Sequence, residues 1–93
     1  MDIAILIERF IVDELIPKGR RARVDPDESL LTIGEIDSLA LLQLIAFVEE
    51  QFGVSVEDDE LTRDNFQTIN RIKLLVEKKW QNGSRQQLPF SLG

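Results

Sequence analysis

No cysteine and no histidine occur among the 93 residues. Their absence excludes disulfides, thiolate nucleophiles, Cys/His metal sites and every triad that takes imidazole as its base. Carboxylate or lysine chemistry is what remains. No apolar run is long enough to span a bilayer. The first ten residues, "MDIAILIERF", carry an acid at position 2 and alternate apolar with charged residues, which is not the pattern of a signal peptide. A cytoplasmic setting is expected. The length supports one domain with a single modest core.

Charge of one sign is scarce in the middle of the chain. The formal net charge is -6, and its distribution says more than its total. Between Glu35 and Thr68 stand nine acids and one base, Arg63. From Ile69 onward the balance reverses, with one acid and five bases. An acidic middle repels nucleic acid and attracts basic protein surfaces. A solvated face is the plainer reading of such an acid run.

Ile3, Leu6, Ile7, Phe10 and Ile11 fall at helical spacing, which predicts a first helix from about Ile3 to Leu15, stopped by Pro17. The stretch "PKGRRARVDPDES" reads as a long loop. A second helix is predicted from Asp37/Ser38, with Leu41, Leu44, Ile45, Val48 and Phe52 as its apolar stripe and Gly53 as its stop. "LTRDNF" suggests a short third helical turn anchored by Leu61 and Phe66. Thr68 is placed to cap a last helix with the stripe Ile69, Ile72, Val76 and Trp80, all packed inward. No segment alternates with period two, and no repeat is present. The expectation is all-α: a small four-helix bundle over 1–81, three helices longer and the third short, followed by a flexible tail at 82–93.

Several motifs have dull readings that win. "DPDESLLTIGEI" starts like a calcium loop, but its sixth and twelfth positions are Leu30 and Ile36, where Gly and Glu are required. Asp25 to Ser29 is a turn with local hydrogen bonds. "KGRRAR" offers four cations, yet in an acidic protein they pair with neighbouring acids or stay solvated, and nucleic acid is not the expected partner.

"IDSL" is different. Asp37 is a good N-cap residue, and the hydroxyl of Ser38 projects from the first turn of a strongly amphipathic helix. A phosphate ester at that point would face free backbone N–H groups and the positive end of the helix dipole. Gly34, Asp37, Ser38 and Leu39, followed by "LIAFVEEQFGVSV" and "LTRDNFQTINRI", make the chain from Ile3 to Lys79 resemble the acyl carrier protein family, with its peptidyl, aminoacyl and D-alanyl carriers. The resemblance implies 4′-phosphopantetheine, drawn from coenzyme A, on Ser38, with Asp37 and Leu39 as flanking recognition residues. Its thiol would carry an acyl or aminoacyl group as a thioester, so a chain without cysteine imports its sulfur. The protein would catalyse nothing itself. It would hold no metal and work as a monomer, with a phosphopantetheinyl transferase, a loading ligase and a downstream transferase or synthase as partners.

Carriers of fatty acid synthesis usually have acids at the exposed start of this helix and Gly three residues before the serine. Here Gly34 stands four before. The helix face opposite Leu41 and Val48 holds Leu39, Gln43, Ala46 and Glu50, edged by Ala40 and Phe47, and only Glu50 is charged. Gln43, Ala46, Phe47 and Glu50 are therefore the candidate docking residues, in a specialised pathway rather than the general one. Phe47 has two readings: core or the wall of a small pocket under the third helix, or an exposed anchor. The alternative for the whole chain is an unmodified helical adaptor that binds a basic protein through Glu49–Asp64, with Ser38 only a cap.

Overall fold

The computed structural model describes residues 2–34 and 36–92, with side chains described as far as 81. Three helices carry the fold: α1 (Ile3–Phe10), α2 (Ser38–Phe52) and α3 (Ile69–Leu92). No strand occurs among the described residues. The Asp2 carboxylate opens α1 by accepting from the N–H groups of Ala4 and Ile5 at 3.0 and 3.3 Å. The helix then widens into a π-helical stretch, Ile11–Leu15, closed by the Ile16 N–H donating to the Ile11 carbonyl at 3.0 Å. A turn closing over five residues returns Ile16 to the side that holds Ile11, and both are buried. An α-helix would carry one of them away from the core.

α2 buries Ala40, Leu44, Val48 and Phe52. It ends as expected at Gly53, whose φ of 66° suits glycine, and the N–H groups of Gly53 and Val54 both return to the Glu49 carbonyl. Thr68 caps α3, its Oγ1 accepting from the Arg71 N–H at 3.1 Å. Ile69, Ile72, Leu75 and Val76 join Ile3, Ile7, Ile11, Val24, Leu30 and Phe66 in one contiguous core. The loop between α1 and α2 is held along its length. Glu8 accepts from both Arg23 Nε and the Val24 N–H at 2.8 Å, Arg21 grips Glu28 in a fork, and the Leu30 N–H donates to Gln67 O at 2.7 Å. Arg21 and Arg23 of the "KGRRAR" stretch thus pair with acids, and Asp25 makes the expected turn with the Asp27 N–H at 2.8 Å.

Three expectations need correction. The short third helix does not form over 61–66. A single 3-10 turn, Asp58–Glu60, precedes it instead, because Glu57 and Glu60 form a reciprocal capping box there. In 61–66 the side chains of Thr62 and Asn65 bind nearby backbone, which competes with helix formation. Phe66 is buried as expected, but Leu61 is 45 % exposed. Trp80 is not core either, at 41 % exposed. Its indole N–H donates to the orphan carbonyl of Phe52 at 2.8 Å, which holds the ring at the bundle's end. The backbone of α3 is helical as far as Leu92. The side chains of 82–93 lie outside the described residues. We propose that this segment adds little to the core, so that truncation after Asn82 should move the melting temperature by less than about 4 °C. A larger fall would mean about 1 kcal/mol or more of docking by Leu88, Phe90 or Leu92.

Three carboxyls sit below the ordinary value. Glu8 is lowered by its bond from Arg23 and then by the Val24 N–H. Arg21 lowers Glu28. Burial alone would raise Glu60, but Lys79 at 2.6 Å and the Glu57 N–H outweigh it. A depressed folded-state pKa contributes stability above the unfolded value, which is lost as pH falls through the folded one. The melting temperature should therefore decline from about pH 5 downward. Glu8→Gln keeps an oxygen for the Val24 N–H and removes the charge. It should cost about 0.2–1 kcal/mol at pH 7 and flatten part of that decline, as thermal melts across pH would show.

Candidate functional site

The start of α2 is fixed by one acid. Asp37 has an extended backbone (φ -93°, ψ -169°), and its Oδ1 accepts from the Ala40 N–H at 2.9 Å while its carbonyl accepts from the Leu41 N–H at 2.9 Å. This is ordinary capping, and it leaves Ser38 as the first helical residue. Ser38 is exposed. Its hydroxyl makes no hydrogen bond among the described residues, and the N–H groups of Ser38 and Leu39 likewise have no partner there. A cap, a free nucleophilic oxygen and two free donors meet within one turn. Ser38 is therefore not the cap; Asp37 is. Gly34 has open space where a Cβ would stand. Glu35, which the sequence places among the nearby acids, lies outside the described residues.

The exposed side of α2 carries Leu39 at 64 %, Leu42 at 62 %, and the exposed Gln43, Ala46 and Glu50. Ala40 is buried, so it does not edge this face. Leu42 was not expected there. Centring the stripe on Ala40, Leu44, Val48 and Phe52, four residues apart, is the signal that places Leu42 outside. Phe47 is half-buried and stacks on Phe10 of α1, with ring centroids 4.2 Å apart and planes 14° apart. It also meets the edge of Phe52 at 6.2 Å. Its ring thus serves the α1–α2 contact, neither a pocket below 61–66 nor a free anchor.

On the other flank of α2 lies a small groove of about 190 Å³, lined by Leu31, Leu41, Ile45, Leu61, Thr62, Arg63 and Phe66. Leu41 is one helical turn beyond Ser38, so the groove starts beside the serine. No group of three or more acids able to hold a metal ion occurs among the described residues. No described helix is long and apolar enough to cross a membrane.

Comparison with known proteins shows the family. Residues 17–76 match the family model described as the phosphopantetheine attachment site. The chain is 33 % identical over 79 residues to an acyl carrier protein of Solidesulfovibrio magneticus, covering 85 % of this chain and 96 % of the relative. It is 31 % identical over 70 residues to a D-alanyl carrier protein of Lactococcus lactis subsp. cremoris, covering 75 % and 89 %. A D-alanyl carrier protein of Streptococcus mutans matches at 34 % over 62 residues, 67 % and 76 % of the two chains. These matches give the adaptor reading no support. The family consists of carriers rather than enzymes, and its cofactor is covalently bound 4′-phosphopantetheine. This chain belongs to the phosphopantetheine-attachment family of carrier proteins.

Proposed function

We propose that Ser38 is the attachment point and that the protein carries acyl or aminoacyl groups between enzymes of a specialised biosynthetic pathway. The observation that supports it is the free, exposed Ser38 hydroxyl at the first turn of α2, inside the matched region 17–76. Ser38 Oγ would displace the nucleotide half of coenzyme A and lose its proton. The Ser38 and Leu39 N–H groups would then face the phosphodiester, where the helix dipole favours negative charge. Asp37 keeps that turn in place by occupying the Ala40 donor. The attached arm supplies the thiol on which cargo rides as a thioester. The partners are a phosphopantetheinyl transferase, a loading ligase, and a transferase or synthase downstream, meeting a monomer in the cytoplasm. Incubation with coenzyme A and a broad-specificity transferase should add one phosphopantetheine to the intact mass, on the peptide containing Ser38. No gain with two unrelated transferases would overturn the reading; a label on Ser29 or Ser55 would move the site.

The docking face in this reading is Leu39, Leu42, Gln43, Ala46 and Glu50, mostly uncharged. Partners built for acids at this helix find none at Leu42 and Gln43. Each missing exposed pair forfeits about 0.2–1 kcal/mol, and about 1.4 kcal/mol is one decade of affinity. Leu42→Asp plus Gln43→Glu should therefore improve loading by general fatty-acid-synthesis enzymes and impair loading by the protein's own ligase. Equal kinetics of both forms with both enzymes, at low and high salt, would show that this face does not choose partners.

A further inference from the structure

The outer side of α3 has no partner among the described residues. Its core side is taken by Ile69, Ile72, Leu75 and Val76, all buried. Away from them, Arg71, Leu74 and Lys78 stand three and four residues apart and so share one face. Leu74 is 59 % exposed. Neither Arg71 nor Lys78 makes an ion pair among the described residues, whereas Lys79, on the flank, holds Glu60 at 2.6 Å. Glu77, at the other edge of the face, is half-buried in a cleft with Asp2, Ile3 and Lys73. An exposed leucine between two unpaired cations is thus left uncovered, in a chain whose net charge is -6.

The complementary surface is on the same chain. Leu61 is exposed, with Glu57, Asp58 and Asp59 before it and Asp64 after it, all exposed, and Arg63 as the one base. None of these four acids makes an ion pair among the described residues. A leucine ringed by acids on one segment therefore matches a leucine between cations on another. Within one copy the match is not made, since Leu61 and Leu74 both stay exposed. The two surfaces adjoin, because the pair of Glu60 and Lys79 joins the turn to α3. Two copies related by a two-fold axis would make the match twice and close it. An extended anion is a poorer occupant. A bilayer or a nucleic acid that met Lys78 would also approach the acidic turn held at Lys79.

We infer that α3 is a self-association face: Arg71, Leu74 and Lys78 of one copy seat on the 57–64 segment of a second copy, and the reverse, in a weak closed pair. Like charges elsewhere on the two copies oppose the approach. Beyond about 8 Å they are screened at physiological ionic strength, so the charges in contact decide. A pair held by exposed charges and single leucines is reversible, with a Kd of about 0.1–1 mM. It exchanges with the monomer that partner enzymes meet. Ser38 is in neither surface, so the inference stands apart from attachment there.

Sedimentation equilibrium of the full, unmodified chain tests it. The apparent mass should rise from one copy toward two between about 0.01 and 1 mM protein. It should fall back as salt is raised from about 0.1 to 1 M, where the Debye length shrinks from about 10 to 3 Å. Amide shifts that follow the protein concentration should fall on both 58–64 and 71–78. Arg71→Glu plus Lys78→Glu should weaken pairing at least about tenfold. Asp58→Lys plus Asp59→Lys should do the same, although that change lessens the net negative charge. All four changes together keep the net charge at -6 and restore the match, so pairing should return to the wild-type level. The four side chains are exposed and make no hydrogen bond or ion pair among the described residues, so circular dichroism should show an intact fold in every variant. Leu74→Ala, which only trims an exposed side chain, should weaken pairing by less. A wild type that stays one copy throughout, pairing indifferent to salt, or pairing that survives in either double variant would overturn the inference. So would a four-residue variant that folds and stays single, shifts confined to Leu39 and Leu42, masses beyond two copies, or binding of α3 to anionic phospholipid vesicles in place of a second copy.

Discussion

Ser38→Ala should give a protein that folds like the wild type and accepts no phosphopantetheine. The two effects should separate completely, because the cap at the head of α2 belongs to Asp37 and the proposed attachment to Ser38. Asp37 makes the cap, through its bond from the Ala40 N–H at 2.9 Å. Ser38 is exposed and its hydroxyl has no partner among the described residues, so truncation to alanine removes no fold-stabilising contact. Alanine is also the better helix former. The melting temperature should shift by less than about 4 °C, below the mark of 1 kcal/mol in a domain this size. Mass gain on incubation with coenzyme A and transferase should be nil. A full gain in the variant would place the modified hydroxyl elsewhere. A large loss of stability would mean that the serine, and not the aspartate, holds the helix start.

Phe66→Ala should be the most damaging single change to the fold. Its side chain is 2 % exposed, it is the sole buried residue of 61–66, and it forms a wall of the groove against Leu41 and Ile45. Removing such a ring costs about 3–5 kcal/mol. Total stabilities run to only about 5–15 kcal/mol. A fall of at least about 12 °C follows, measurable by circular dichroism, with Phe66→Leu falling less. A drop under about 4 °C would show that the 61–66 turn sits outside the cooperative unit.

Much of the fold can be read from local chemistry. Pro17, Gly53, Thr68 and Asp37 act where their backbone preferences place them, and the stripes of α1 and α3 follow from spacing. Other features depend on relations that spacing does not carry. The π-helical stretch exists because Ile11 and Ile16 must both face inward, a demand set by the neighbouring helices. The capping box at Glu57 and Glu60 draws the short turn forward from 61–66, in competition with Thr62 and Asn65. Phe47 and Trp80 turn on a single partner each, the Phe10 ring and the Phe52 carbonyl, and neither is adjacent in sequence. At the site, the serine and its cap are legible because they lie within one turn. The exposure of Leu42 and the burial of Ala40 are not, since they depend on the axis about which α2 is seated. The groove is assembled from three segments, and only the fold brings them together.

The bond between Trp80 and the end of α2 has an optical consequence. Trp80 is the single tryptophan, and the chain has no tyrosine. Its indole rests against Phe52, with centroids 6.1 Å apart. Emission excited near 295 nm therefore comes from one fluorophore, about 20 Å along α2 from Ser38 at 1.5 Å per residue. That light reports whether α3 is seated on α2, with no second emitter to subtract. It is far enough from the serine that attaching an arm there leaves the reporter in the same surroundings. The molecule carries an intrinsic dye for its own assembly, at the far end of α2 from the proposed attachment serine.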